Sequence, residues 1–119
     1  MLVYENKLPA PRMQNAQKVK DVAAALGINP NWLMLIMNFE SAGTFSPAVV
    51  NPTGGATGLI QFMPATARDL GTTTAELARM TFAEQMDWVQ AYYRRTGVIG
   101  RVKSATDLYL ATFFPRAVG

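Results

Sequence analysis

The chain is predicted to be an all-α (mainly α) domain, and three observations carry that expectation. Apolar residues recur at helical spacing, hydroxyl caps recur with an acid three residues on, and strand signals are weak throughout. Residues 1–13, with Pro9 and Pro11, read as an extended N-terminal lead-in, which leaves 14–119 as a single domain. At 119 residues, half of them hydrophobic and 16% charged, the chain suits one buried core.

The elements follow in order. Residues 14–26 place Val19, Val22, Ala23 and Leu26 on one helical face, and Gly27 stands where a helix stops. In "NPNWLMLIMNFE" Asn29 can cap a second helix whose first residue, Pro30, has no N–H to leave unpaired. From Trp32 to Phe39 that helix is apolar nearly all round, so it belongs at the centre of the domain. Residues 42–57 hold three glycines and two prolines and read as a long loop, with short extended pieces around Val49 and Val50. Pro64 and the caps in "TTAE", "TFAE" and "SATD" then predict helices over 64–70, 74–79, 82–95 and 105–114.

Composition removes several chemistries at once. There is no Cys and no His, which excludes thiol nucleophiles, Ser-His-Asp triads and zinc sites built on those ligands. A net charge of +3 from scattered basic residues is too weak for a nucleic-acid partner; "YYRR" and "GRVK" are too sparse. The N-terminus lacks the apolar core of a cleavable signal, and "WLMLIM" is far below the roughly 18–20 residues of a membrane span. No membrane insertion is expected, and nothing calls for a metal or cofactor.

One acid stands out. Glu40 ends the apolar helix, and no other charge follows until Arg68. By three- and four-residue spacing it shares a face with Ile36 and Met37, so it leaves the core side of the helix. Apolar neighbours and the negative end of the helix dipole both raise a carboxyl pKa. A proton held near neutral pH is what a general acid needs to protonate a glycosidic oxygen. An isolated Glu at a helix end is more often solvated or paired with Arg; the loop after it shifts the balance.

The series "ES…FSP.AV.NP.GA.GLIQFMP.TA", over residues 38–67, resembles the soluble-type (SLT) lytic transglycosylase domain, a family related in fold to goose-type lysozyme. A looser likeness continues through "MDWVQAYYRR" and "LYLATFF". The resemblance implies a lysozyme-like fold around the buried central helix, with Glu40 as the single catalytic acid/base and Ser41 positioning it or the substrate. It also implies that Gln61 bonds the bound sugar chain, that Gly58 and Leu59 form cleft floor beside Phe62, and that Ile60 replaces the usual Met. Tyr92 or Tyr93 corresponds to a Tyr of the following helix. The family's Ala-Tyr-Asn segment is replaced here: Phe113 stands at the Tyr position and Phe114 at the Asn position. A phenyl ring cannot donate the hydrogen bond that Tyr would offer Glu40.

The other acids, Glu5, Asp21, Asp69, Glu76, Glu84, Asp87 and Asp107, have no motif of their own, and three of them are explained as first-turn helix residues. A one-acid mechanism on peptidoglycan glycan strands follows from the resemblance, giving 1,6-anhydro ends. The alternatives are goose-type hydrolysis of the same bond, and a cell-wall-binding or virion module without catalysis. The expected setting is the cell wall, reached from a phage particle or as part of a longer exported chain, with the domain itself a monomer.

Overall fold

The computed structural model describes residues 1–114. Six α-helices account for most of them: α1 (Arg12–Leu26), α2 (Pro30–Glu40), α3 (Pro64–Leu70), α4 (Thr74–Ala78), α5 (Phe82–Thr96) and α6 (Ala105–Phe113). Single 3-10 turns lie at Glu5–Lys7 and Ile99–Arg101. The all-α expectation holds. Strand-like pairing among the described residues is confined to two isolated antiparallel bridges, Val50 with Thr57 and Thr57 with Phe62.

Local chemistry explains where the helices begin. Asn29 accepts from Asn31 N–H, Thr73 from Glu76 N–H and Ser104 from Asp107 N–H, each filling one donor that a helix start leaves unpaired. Thr81 and Glu84 form a reciprocal capping box at α5, and those bonds hold the Glu84 carboxyl below its usual range. At the other end of α1, Gly27 takes φ +72° and its N–H closes the helix on Ala23 and Ala24.

α1 packs against both α2 and α5, and α2 also packs against α6. Leu33, Met34, Ile36 and Met37 of α2 are buried between them. Its outward stripe is not: Leu35 is 39% and Phe39 68% exposed. Hydrophobic all round in sequence, α2 is thus buried along its inner face and leaves an apolar edge beside Glu40.

The lead-in differs from the extended segment expected for residues 1–13. It carries the first 3-10 turn, buries Leu2 and Leu8 in the common core, and ends where α1 begins at Arg12. Three side chains pin it: Asn15 donates to Pro9 O (2.9 Å), Asn31 Oδ1 accepts from Val3 N–H (2.9 Å), and Lys7 donates to Asn38 Oδ1 (3.2 Å). Two leucines at the right places gave the prolines' segment apolar surface worth hiding, and burial outweighed the extended preference.

Candidate active site

Glu40 is the last residue of α2, half-buried, and burial holds its carboxyl above the ordinary glutamate range. No cation pairs with it among the described residues. Its charge is felt by Tyr93, whose fully buried phenol is held far above its usual range chiefly by desolvation.

Ser41 caps α2 from beneath. Its hydroxyl donates to Met37 O (2.6 Å) and accepts from Phe45 N–H (2.8 Å), and the side chain is completely buried. It fixes the turn that follows Glu40 and offers no surface to a sugar. Of the two roles expected for it, positioning is the one its place allows.

The loop then runs back to build a wall. Gly58 has φ +86°, and a Cβ placed there would lie 2.3 Å from Gln85 Oε1. That oxygen accepts from Leu59 N–H (2.7 Å), while Gln85 Nε2 donates to Pro47 O (3.0 Å) and Leu77 O (2.9 Å). Gln85 is wholly buried, so one amide ties three backbone segments together. Gly58 and Leu59 are consequently buried and not exposed floor: glycine is required for the approach of Gln85, and Leu59 is core. Sequence reasoning missed Gln85. The signal existed, because it sits three residues after Phe82 and four before Val89, a polar side chain on the apolar face of α5.

Gln61 is partly exposed, and Phe62, although almost wholly buried, lines the same space. With Ile60, Met63, Thr66, Tyr92, Thr112 and Phe113 they line a cavity of about 180 Å³. Gln61 takes φ +58° and donates to Gly58 O (3.1 Å) and Val49 O (3.4 Å), so its amide nitrogen is occupied by the loop and its oxygen is the atom left for a ligand. The structure thus brings together Gln61, Phe62, Tyr92 and Phe113 of the expected residues. A larger cavity of about 470 Å³, between Pro9–Pro11 and the start of α5, contains none of them.

The opposite wall is helical. Tyr92 donates to Thr112 O (2.5 Å), and Tyr93 Oη lies 2.6 Å from Thr112 Oγ1. Thr112 spends its own proton on Leu108 O (2.7 Å), so Tyr93 is the donor of that pair. Burial also raises the Tyr92 phenol. Tyr92 lines the cavity, whereas Tyr93 is fully buried and does not. Phe113 packs at a tilt against Tyr109 (ring centroids 4.8 Å apart), which meets Phe39 edge-on at 6.3 Å. Phe114, at the expected Asn position, is 59% exposed and absent from the cavity lining.

Chemically the arrangement offers one carboxyl whose pKa burial raises, a cleft with apolar and aromatic walls, and an amide oxygen free of partners in the loop. No three Asp or Glu side chains converge as a metal cage among the described residues. No single helix there is long and apolar enough to cross a membrane.

A family model described as the Transglycosylase SLT domain matches residues 17–87, more than half of the chain. The match contains Glu40, the loop wall and Gln85 and stops before Tyr92. No curated protein and no solved structure matches the chain significantly.

Proposed function

The chain belongs to the transglycosylase SLT domain family, whose substrate is peptidoglycan, and from that premise we propose that Glu40 cleaves the β-1,4 bond between N-acetylmuramic acid and N-acetylglucosamine. The observation that carries the proposal is the half-buried, unpaired Glu40 carboxyl, whose pKa burial raises, at the end of α2 just before the loop that builds the cavity wall. Its proton passes to the bridging oxygen as the C1–O bond breaks, leaving a cation on the muramyl ring. The resulting Glu40 carboxylate takes the proton of the same sugar's C6 hydroxyl, and O6 closes on C1. The product is a 1,6-anhydro ring, water is not consumed, and Glu40 regains its proton.

Around that step the walls hold the strand. Phe113 and Tyr92 present ring surface to the apolar faces of pyranose rings, and Gln61 Oε1 accepts from a sugar hydroxyl or acetamido N–H. Ser41 and Gln85 act through geometry, fixing the backbone on either side of the loop. The place of action on this reading is the cell wall.

Mass spectrometry of muropeptides released from purified sacculi tests the proposal. Anhydromuramyl ends are expected; reducing ends would mean that water replaces the C6 hydroxyl, and no release at all would contradict an enzymatic role.

A further inference from the structure

The larger cavity, about 470 Å³ between the lead-in and the start of α5, shares no residue with the cleft. Pro9, Pro11, Pro47, Met80 and Ala83 give it an apolar wall, and no Asp, Glu, Lys or Arg lines it. One polar group is built into that wall. Asn15 is 4% exposed, and its Nδ2 donates to Pro9 O (2.9 Å), a carbonyl that can only accept. Its Oδ1 therefore points elsewhere and accepts from no other described residue. No buried side-chain nitrogen or oxygen among the described residues lacks a partner, so this oxygen is reached by solvent, and the cavity that Asn15 lines is its opening. At the rim, exposed Ala10 has neither its N–H nor its C=O in a hydrogen bond among the described residues. Pro47 ties the cavity to the loop wall, because its carbonyl accepts from Gln85.

An occupant has to match both the apolar wall and the lone acceptor. An aliphatic side chain would cover the wall but dry Oδ1 without giving it a donor, whereas an ammonium or guanidinium group would donate but lose its hydration with no counter-charge beside it. Hydroxyl and carboxamide side chains donate too, but they are small and polar for a space in the size range of ligand pockets. A tryptophan side chain meets both demands. Its ring packs on proline rings and on the Met80 thioether, and its N–H is a donor with no acceptor role. The unpaired Ala10 peptide groups offer partners to main chain on either side of such a residue. We propose that this cavity is the docking site for a tryptophan side chain of a partner polypeptide, with its indole N–H bonded to Asn15 Oδ1. A single aromatic anchor in a desolvated pocket with a polar rim is how protein interfaces concentrate affinity. The site does not depend on the chemistry proposed for the cleft.

The test titrates the full chain, followed by NMR chemical shifts, with three probes: N-acetyl-tryptophanamide, the same compound methylated on the indole nitrogen, and free indole. N-acetyl-tryptophanamide should move the Asn15 side-chain and Ala83 backbone resonances with a Kd of about 1 mM or tighter, on the scale of a small ligand in a preformed pocket. The methylated compound, which has the ring but no donor, should bind about three- to tenfold more weakly, the worth of one hydrogen bond. Free indole, which lacks the peptide groups that would meet Ala10, should also bind more weakly. Ala83→Phe places a ring in the cavity without touching Asn15 and should abolish binding, and the comparison of the three probes on the unaltered protein stands even if that variant does not fold. No shifts at about 10 mM probe, equal affinity for the methylated compound, or binding that survives Ala83→Phe in a folded variant would overturn the inference. Indole binding as tightly as N-acetyl-tryptophanamide would overturn it too, because the occupant would then be a free ring and not a polypeptide.

Discussion

The two walls of the cleft are built on different physical principles. The loop wall depends on backbone in the left-handed region: Ala42, Phe45 and Gln61 have positive φ without being glycine, and Gly58 has one that lets Gln85 in. For Phe45, bulky and fully buried at φ +50°, the conformation persists because Ser41 accepts its N–H and the core encloses its ring. The helical wall has no such residue among α5 and α6. It is held by ordinary helical backbone and by two phenols converging on Thr112. A wall of the first kind has single points of failure, whereas one of the second kind shares its load among several contacts.

Substitutions can break that comparison or sharpen it. The largest effect is expected at Gly58. Gly58→Ala puts a methyl group into the Gln85 amide and a side chain at φ +86°, which should cost about 2–5 kcal/mol from left-handed strain and overpacking together. Urea unfolding measures it, and a loss below about 1 kcal/mol would show that the loop is more compliant than its geometry indicates. Next comes Gln85→Ala, which leaves the Leu59 N–H and two carbonyls without partners in a dry interior; about 2–4 kcal/mol is expected, with cleavage falling further than stability because the loop wall loses its anchor. Tyr93→Phe on the helical wall should cost only about 1 kcal/mol, since Thr112 keeps its bond to Leu108 and Tyr92 its bond to Thr112. If Tyr93→Phe instead matched Gln85→Ala, the contrast between the walls would disappear.

The smallest effect concerns Glu40 and stability. Its folded-state proton affinity exceeds that of the unfolded chain, so folding binds the proton, and stability falls as pH rises from the ordinary glutamate pKa, about 4.3, through the raised one. Glu40→Gln removes that penalty. The variant should therefore melt slightly higher than the unaltered protein at neutral pH and at the same temperature below the ordinary pKa, as read by calorimetry at both pH values.

The same contrast explains what could be read in advance. Helix positions were legible because caps and apolar spacing are local: α3 was expected at 64–70 and found at Pro64–Leu70, and α5 at 82–95 and found at Phe82–Thr96. Glu40 was legible because an acid at the end of an apolar run is a local anomaly. The loop's residue pattern was legible too, but not its division of labour. Whether Gly58 and Leu59 face a ligand or the core depends on Gln85, 27 and 26 residues away in sequence, and no local rule links them. The lead-in failed to stay extended for a similar reason, because Leu2 and Leu8 acquire a partner surface only once α1 and α2 have packed. Phe113 was read as a lost hydrogen bond, and the phenols of Tyr92 and Tyr93 instead converge on the residue before it, Thr112.

The central claim is that one carboxyl performs the chemistry, and cleavage of purified sacculi by Glu40→Gln tests it most directly. The amide keeps the shape of the side chain but has no acidic proton to give and cannot serve as the base that follows. A folded Glu40→Gln variant is expected to lose at least about a thousandfold in rate, on the scale of removing an essential acid/base group. A folded variant that releases muropeptides at a rate near that of the unaltered protein would contradict the account.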